Sequence, residues 1–419
     1  MTVTIPHGSR SGLILAPASK SFAHRAVIAA ALSDESSVII CDGISKDIKA
    51  TISCMNSAGA DIRVNGSRIE VNPIKKTVDK CAPDCGESGS TLRFLLPVFG
   101  ALGINAEFLP KGRLYDRPLC PLDEVLASHG VTVNKRDGRV ICQGQLKSGE
   151  YKISGDVSSQ YISGLLMALP LLEGDSTLEI IGRIQSESYI RMTEDVLKSA
   201  GIVFDKCGNV YKIFGSQKPR MSSEFKVEGD YSNAAFFMCM GAMSEKGVTV
   251  SGLNLSSSQG DKAVIDILKR MGADVSFVSD SVTVRKNHLV GTTIDASQIP
   301  DLIPTLCALA CVCKGQTVVI NGERLKIKES DRILSTCRML SNLGADITPT
   351  DDGMIINGKA KLKGGTVDSF NDHRIAMSAA VASCSCDGDV TVNGAECVEK
   401  SYPEFWNDFS SLEIETEEA

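Results

Sequence analysis

Leu340-Ser341-Asn342-Leu343-Gly344-Ala345-Asp346-Ile347 is the stretch from which the fold is read. It reads as the end of a helix, a glycine stop and the start of a short strand. Leu340 and Leu343 close an apolar helical pattern opened by Ile333, Leu334 and Cys337. Gly344 then supplies the left-handed residue that commonly follows a helix. The same pattern occurs at Met55–Ile62, Leu126–Val133, Leu197–Phe204 and Leu268–Val275. The glycines fall at 59, 130, 201, 272 and 344, so the successive gaps are 71, 71, 71 and 72 residues. Chance does not hold five helix stops in step; a fixed period of this length marks a duplicated supersecondary unit. Each stop leads into alternating strands around a polar turn, as in Asp274–Arg285.

Outward from the stops, a second helix recurs in each repeat. Its starts are expected near Ser21, Ser90, Ser159, Asn233, Asp301 and Asp372, followed by apolar runs such as Leu92–Leu102 and Tyr161–Leu172. Helices that are apolar nearly all round belong in a core. The reading is an α/β (α+β) fold of six β-α-β-α-β-β repeats with buried parallel helices, the sixth closed by the two chain ends. Duplication for stability alone, as in a solenoid, is the plain alternative. Charge placement argues against it. The glycine-stopped helices should begin 12–13 residues before their glycines, which puts Arg117 and Arg332 at helix starts 215 residues, or three repeats, apart.

Lys326-Ile327-Lys328-Glu329-Ser330-Asp331-Arg332 lies immediately before the quoted helix. Alone it reads as a solvated helix end with Ser330 as N-cap. Yet a helix N-terminus also attracts anions through its free N–H groups and dipole. The 419-residue chain is too long for one core. Its net charge of −7 argues against nucleic-acid and membrane-surface partners, so an anionic ligand must be held by local cations. No apolar run reaches 18 residues, residues 1–12 carry no signal-peptide pattern, and the fifteen cysteines lack zinc-type spacing. A cytoplasmic protein without metal is expected.

Six stretches then stand out together. They are Ser19-Lys20-Ser21-Phe22-Ala23-His24-Arg25, Glu87-Ser88-Gly89-Ser90-Thr91-Leu92-Arg93, Asp116-Arg117-Pro118, Ser158-Ser159-Gln160, Lys328–Arg332 and Asn371-Asp372-His373-Arg374, with Asp301 after Ile-Pro and Lys400 near the end. In this combination and order, from about Leu13 to Trp406, the chain resembles the 5-enolpyruvylshikimate-3-phosphate synthase family. The resemblance implies two domains of three repeats each. Residues 19–228 would form a continuous domain, and residues 1–18 with 229–419 a second one, built as an inside-out α/β barrel with the active site in the cleft between them. It implies transfer of the enolpyruvyl group of phosphoenolpyruvate to the 5-hydroxyl of shikimate 3-phosphate through a tetrahedral intermediate, without a cofactor. A monomer is expected.

By the same resemblance, phosphoenolpyruvate is held by Lys20, Gly89, Arg117, Gln160, Arg332, Arg374 and Lys400. Shikimate 3-phosphate is held by Lys20, Ser21, Arg25, Ser158, Ser159, Gln160, Ser186, Asp301 and Lys328, with Tyr189 against its ring or in the core. Asp301 would be the base on the hydroxyl, and Glu329 with Lys20 would move the proton at the methylene carbon; His373 is expected to be structural. The residue types suit the task, because both substrates carry a phosphate and a carboxylate, and arginine forks match such oxyanions. Phe94, Glu87 and Arg324 depart from residues common in the family. The nearest rival is the sister transferase acting on UDP-N-acetylglucosamine. Its loop cysteine is replaced by Gly112 here. A non-enzymatic scaffold would not place different chemistry at each helix start.

Overall fold

The computed structural model describes residues 1–415; the last four positions of the expected second domain lie outside the described residues. The chain forms two compact domains. One is continuous, Ala18–Val227; the other is composite, Met1–Pro17 with the chain from Glu228 onward. Each has its own apolar core. Among the described residues no helix is long and apolar enough to cross a membrane.

The continuous domain carries α1 (Lys20–Ala31), α2 (Lys46–Ser57), α3 (Gly89–Leu102), α4 (Leu122–Ser128), α5 (Ser159–Ala168) and α6 (Glu187–Ser199). The repeat is clearest around α5. Strand Glu150–Ser154 runs into α5 and returns as Ser176–Ile181, parallel to the first. After α6 comes a hairpin, Phe204–Cys207 with Val210–Ile213, whose second strand pairs antiparallel with Ser176–Ile181. That is one β-α-β-α-β-β repeat in one four-stranded sheet. The repeat begun by α1 lacks a preceding strand in this domain. Glu224–Lys226, at the far end of the domain, fills the place by pairing parallel with Ser37–Ile40.

The composite domain carries α7 (Tyr231–Gly241), α8 (Val264–Arg270), α9 (Ile303–Ala310), α10 (Arg332–Asn342), α11 (His373–Ser383) and α12 (Phe405–Ser411). The repeat begun by α7 borrows its first strand from the N-terminus: Arg10–Leu15 pairs parallel with Val248–Ser251. The sheet of the last repeat is closed by the N-terminal end, Thr2–Ile5 pairing antiparallel with Val390–Asn393. The other end departs from expectation: Glu413–Ile414 pairs with Arg10 and Ser11 and so joins the sheet of the α7 repeat. Glu415 fastens this end, accepting from the Ser244 hydroxyl at 2.6 Å and the Lys246 N–H at 2.8 Å.

The helices that open each repeat are buried along their length, as their all-round apolar character requires; every residue of α7, α9 and α11 is buried. All five stop glycines have positive φ, at 111°, 97°, 75°, 88° and 87° in chain order. Two helix starts differ from expectation. Asp331, not Ser330, caps α10, its carboxylate accepting from the N–H groups of Ile333 and Leu334. Arg117 does not begin a helix. Proline at 118 and 121 disfavours helical backbone in the preceding residues, so α4 begins at Leu122 and Arg117 lies in the turn before it.

Candidate active site

In the composite domain, the N-termini of α7, α9 and α11 come together, and Arg374 ties them. From the first turn of α11 its guanidinium donates to the Ser232 hydroxyl of α7 at 2.6 Å and to the Asp301 carbonyl, just ahead of α9, at 2.9 Å. Three helix N-termini sharing one end make an electropositive face independent of the acidic net charge.

Arg332, the first residue of α10, is 1% exposed and surrounded by carboxylates. Asp372, fully buried at the N-cap of α11, takes its Nε at 2.8 Å and its Nη2 at 3.2 Å. Nη1 reaches Asp301 at 2.6 Å, and Nη2 also reaches Glu329 at 2.9 Å. This explains the cap at Asp331. The Ser330 hydroxyl is drawn to Asp372 at 3.0 Å, leaving the next residue to cap. Lys328 lies 3.3 Å from Asp301, and Lys400 lies 3.8 Å from Glu329.

The electrostatics follow from this packing. Burial alone would raise the Asp301 carboxyl, but Lys328, Arg374 and Arg332 hold it well below the usual carboxylate range. Burial pulls Lys328 down to about 8 against the attraction of Asp301, with Arg332 and Arg324 adding repulsion. Burial also opposes the charge on Arg332, yet Asp372, Glu329 and Asp301 together hold it above its ordinary value. Four cations and three carboxylates thus share one buried face, with Asp301 still 20% exposed.

The continuous domain presents a second cluster, on the N-termini of α1, α3 and α5. Gly164 of α5 sits against α3 so tightly that a Cβ would come within 2.6 Å of the Arg93 carbonyl. That approach lets Gln160 accept from Arg93 at 2.7 Å and donate to the Ser90 hydroxyl at 2.9 Å. Ser158 caps α5, and Ser159 is its buried first residue. Arg117 lies against Gly89, where a Cβ would stand 2.9 Å from its Nη1. Lys20, at the first position of α1, pairs with Asp47 at 2.9 Å. Arg25 is buried and braces its surroundings. It donates to the carbonyls of Ser21 at 2.6 Å and Tyr189 at 2.8 Å, and to the Thr193 hydroxyl at 2.7 Å. Ser186, with left-handed φ and ψ of 53° and 47°, is buried just before α6.

The expected site residues therefore fall into two groups. Asp301, Lys328, Glu329, Arg332, Arg374 and Lys400 gather in the composite domain. Lys20, Ser21, Arg25, Gly89, Arg117, Ser158, Ser159, Gln160 and Ser186 lie in the continuous one. The sequence reading missed Asp47, Ser232 and the anchoring role of Asp372. Asp372 was visible as a good N-cap; nothing marked Ser232 or Asp47.

Comparison with known proteins matches this chain, over residues 6–409, to the sequence model of EPSP synthase (3-phosphoshikimate 1-carboxyvinyltransferase). The chain is 43% identical over 409 residues to the 3-phosphoshikimate 1-carboxyvinyltransferase of Clostridium acetobutylicum, covering 96% of this chain and 95% of that one. It is 41% identical over 422 residues to the Clostridium kluyveri protein of the same name, covering 99% and 98%. Its fold matches a solved EPSP synthase from Acinetobacter baumannii with a TM-score of 0.81 at 27% identity, covering 99% of this chain and 100% of that one.

Proposed function

The chain belongs to the EPSP synthase family and transfers the enolpyruvyl group of phosphoenolpyruvate to shikimate 3-phosphate, a step of the shikimate pathway, and we propose that it does so with the two clusters just described. The observation that most supports this reading is the grouping of Lys328, Arg332, Arg374 and Lys400 around Asp301 and Glu329 at helix N-termini. Such a face can hold two substrates that each carry a phosphate and a carboxylate while keeping two carboxylates for proton transfer.

In this reading phosphoenolpyruvate lies on Arg332, Arg374 and Lys400 in one domain and on Lys20, Gly89, Arg117 and Gln160 in the other. The phosphate of shikimate 3-phosphate is bound by Ser158, Ser159 and the N–H groups of α5, and its ring is contacted by Lys20, Ser21, Gln160, Ser186, Lys328 and Asp301. Arg25 acts by holding Ser21 and the Tyr189 carbonyl in place. The substrates would draw the two domains together over one active site.

Asp301 takes the proton of the 5-hydroxyl as that oxygen attacks the central carbon of phosphoenolpyruvate. Glu329, with Lys20 beside the reacting carbons, delivers a proton to the methylene carbon. The tetrahedral intermediate then loses phosphate, and the same carboxylate recovers the proton. Unliganded, Asp301 is a weak base because three cations hold its carboxyl down. Substrate phosphate and carboxylate groups neutralise those same cations, and the proton affinity of Asp301 rises as the site fills. The reading keeps the protein a monomer, and a cytoplasmic one, a reducing compartment being what fifteen free thiols favour.

The test is phosphate release in the presence of both substrates, with Asp301→Asn beside the wild type. The variant should bind shikimate 3-phosphate by titration calorimetry and lose turnover by about 100-fold or more, the scale of a lost acid–base residue. Near-normal turnover would remove Asp301 as the base.

A further inference from the structure

Asp261 takes no part in the mechanism above, yet it stands directly behind one of its arginines. It lies in the single turn Gly260–Ala263 ahead of α8 and is only 4% exposed. The Ser232 hydroxyl hydrogen-bonds to its carboxylate, and that same oxygen accepts Arg374 Nη2 at 2.6 Å. A continuous line therefore runs from Asp261 through Ser232 to Arg374 and on to the Asp301 carbonyl at 2.9 Å. The charged groups facing Asp261 are Asp301 ahead of α9, Arg374 on α11 and Asp230 at the N-cap of α7. Lys262, its neighbour on the turn, points away to the Leu255 carbonyl at 2.6 Å.

We infer that Asp261 is a positioning residue for Arg374 that takes up one proton from solvent when a phosphate or carboxylate anion occupies that arginine. The inference rests on the assignment of Arg374 to the phosphoenolpyruvate site. Burial first, then Asp301, push the Asp261 carboxyl up to about 6, and Arg374 is the cation opposing them. An anion on Arg374 cancels that opposition, so proton affinity at Asp261 rises further on binding. Neutral Asp261 in turn leaves the charge of Arg374 to the ligand. The complex holds more protons than the free protein, so affinity falls as pH rises through the window above 6, by at most about tenfold per pH unit for one proton.

The experiment titrates inorganic phosphate into protein saturated with shikimate 3-phosphate, where no enolpyruvyl donor is present and nothing turns over. Titration calorimetry near pH 6.5–7, in buffers of different ionisation heat, counts the protons taken up. Wild-type protein should take up more protons than Asp261→Asn, by up to one per site, while both bind phosphate. The ligand's own protons cancel in the difference. Equal uptake in the two proteins overturns the inference. Ser232→Ala, which keeps Asp261 but removes its hydroxyl donor, should move the uptake window to higher pH; an unmoved window overturns it as well. If shikimate 3-phosphate binds but phosphate gives no heat in the wild type, the assignment of Arg374 falls and the inference falls with it.

Discussion

Lys328 is a residue of the proposed substrate site whose charge is open to pH. With its ammonium pulled down to about 8, it should lose its proton in mildly alkaline solution, and shikimate 3-phosphate binding should weaken as pH rises from 7 to 9. Lys328→Met should bind more weakly at pH 7 and lack that alkaline drop, which calorimetric titration across pH would show. The sign for stability is the reverse. The folded state sheds this proton first, so between about 8 and the ordinary lysine value of 10.5 the unfolded chain binds more protons, and this group makes folding more favourable as pH rises. Gly89 bears on a second residue. Its φ is ordinary, so alanine suits the helix start, but the added Cβ would stand 2.9 Å from Arg117 Nη1. Gly89→Ala should keep the fold and raise the KM for phosphoenolpyruvate by about tenfold, the worth of one displaced charge-assisted hydrogen bond of about 1.5 kcal/mol. An unchanged KM would detach Arg117 from that substrate.

At the scale of elements, the contact between α3 and α5 sets the second cluster. Gly164→Ala would press a Cβ into the Arg93 carbonyl at 2.6 Å and into Pro97 at 2.8 Å. Overpacking of this kind costs roughly 1–3 kcal/mol, so thermal unfolding should shift down and the Arg93–Gln160 bond should loosen. A variant with wild-type melting temperature and KM would contradict the close-approach account. The same elements show what was readable in advance. Five glycine stops and six apolar helices carry a period in the sequence, and the buried helices, sheets and hairpins follow from it. The cap of α10 did not show in this way. Ser330 and Asp331 are both good N-caps locally, and the choice is made by Asp372, about forty residues away, which draws the Ser330 hydroxyl. Arg117 fitted the arithmetic of the repeat, but Pro118 and Pro121 override it. Gln160 stood out in the Ser-Ser-Gln motif, whereas its bond to Arg93 depends on Gly164, which looks like any small residue in an apolar run.

At the scale of the whole molecule, the repeat is cut out of phase with the chain. Each domain opens on a helix whose preceding strand comes from elsewhere in that domain: Glu224–Lys226 for α1 and Arg10–Leu15 for α7. The chain therefore passes between the domains twice, after Pro17 and after Val227, and each domain keeps its own core. Under the proposed function the labour is divided between the domains. One domain carries Asp301, Glu329 and four of the cations; the other carries Lys20, Arg117 and the Ser158-Ser159-Gln160 cap. Under the same proposal one pair of small anions is gripped by both. Small-angle X-ray scattering with and without saturating shikimate 3-phosphate tests this most directly. The account predicts a smaller radius of gyration in the bound state. An unchanged radius, with binding verified by calorimetry on the same sample, would contradict it.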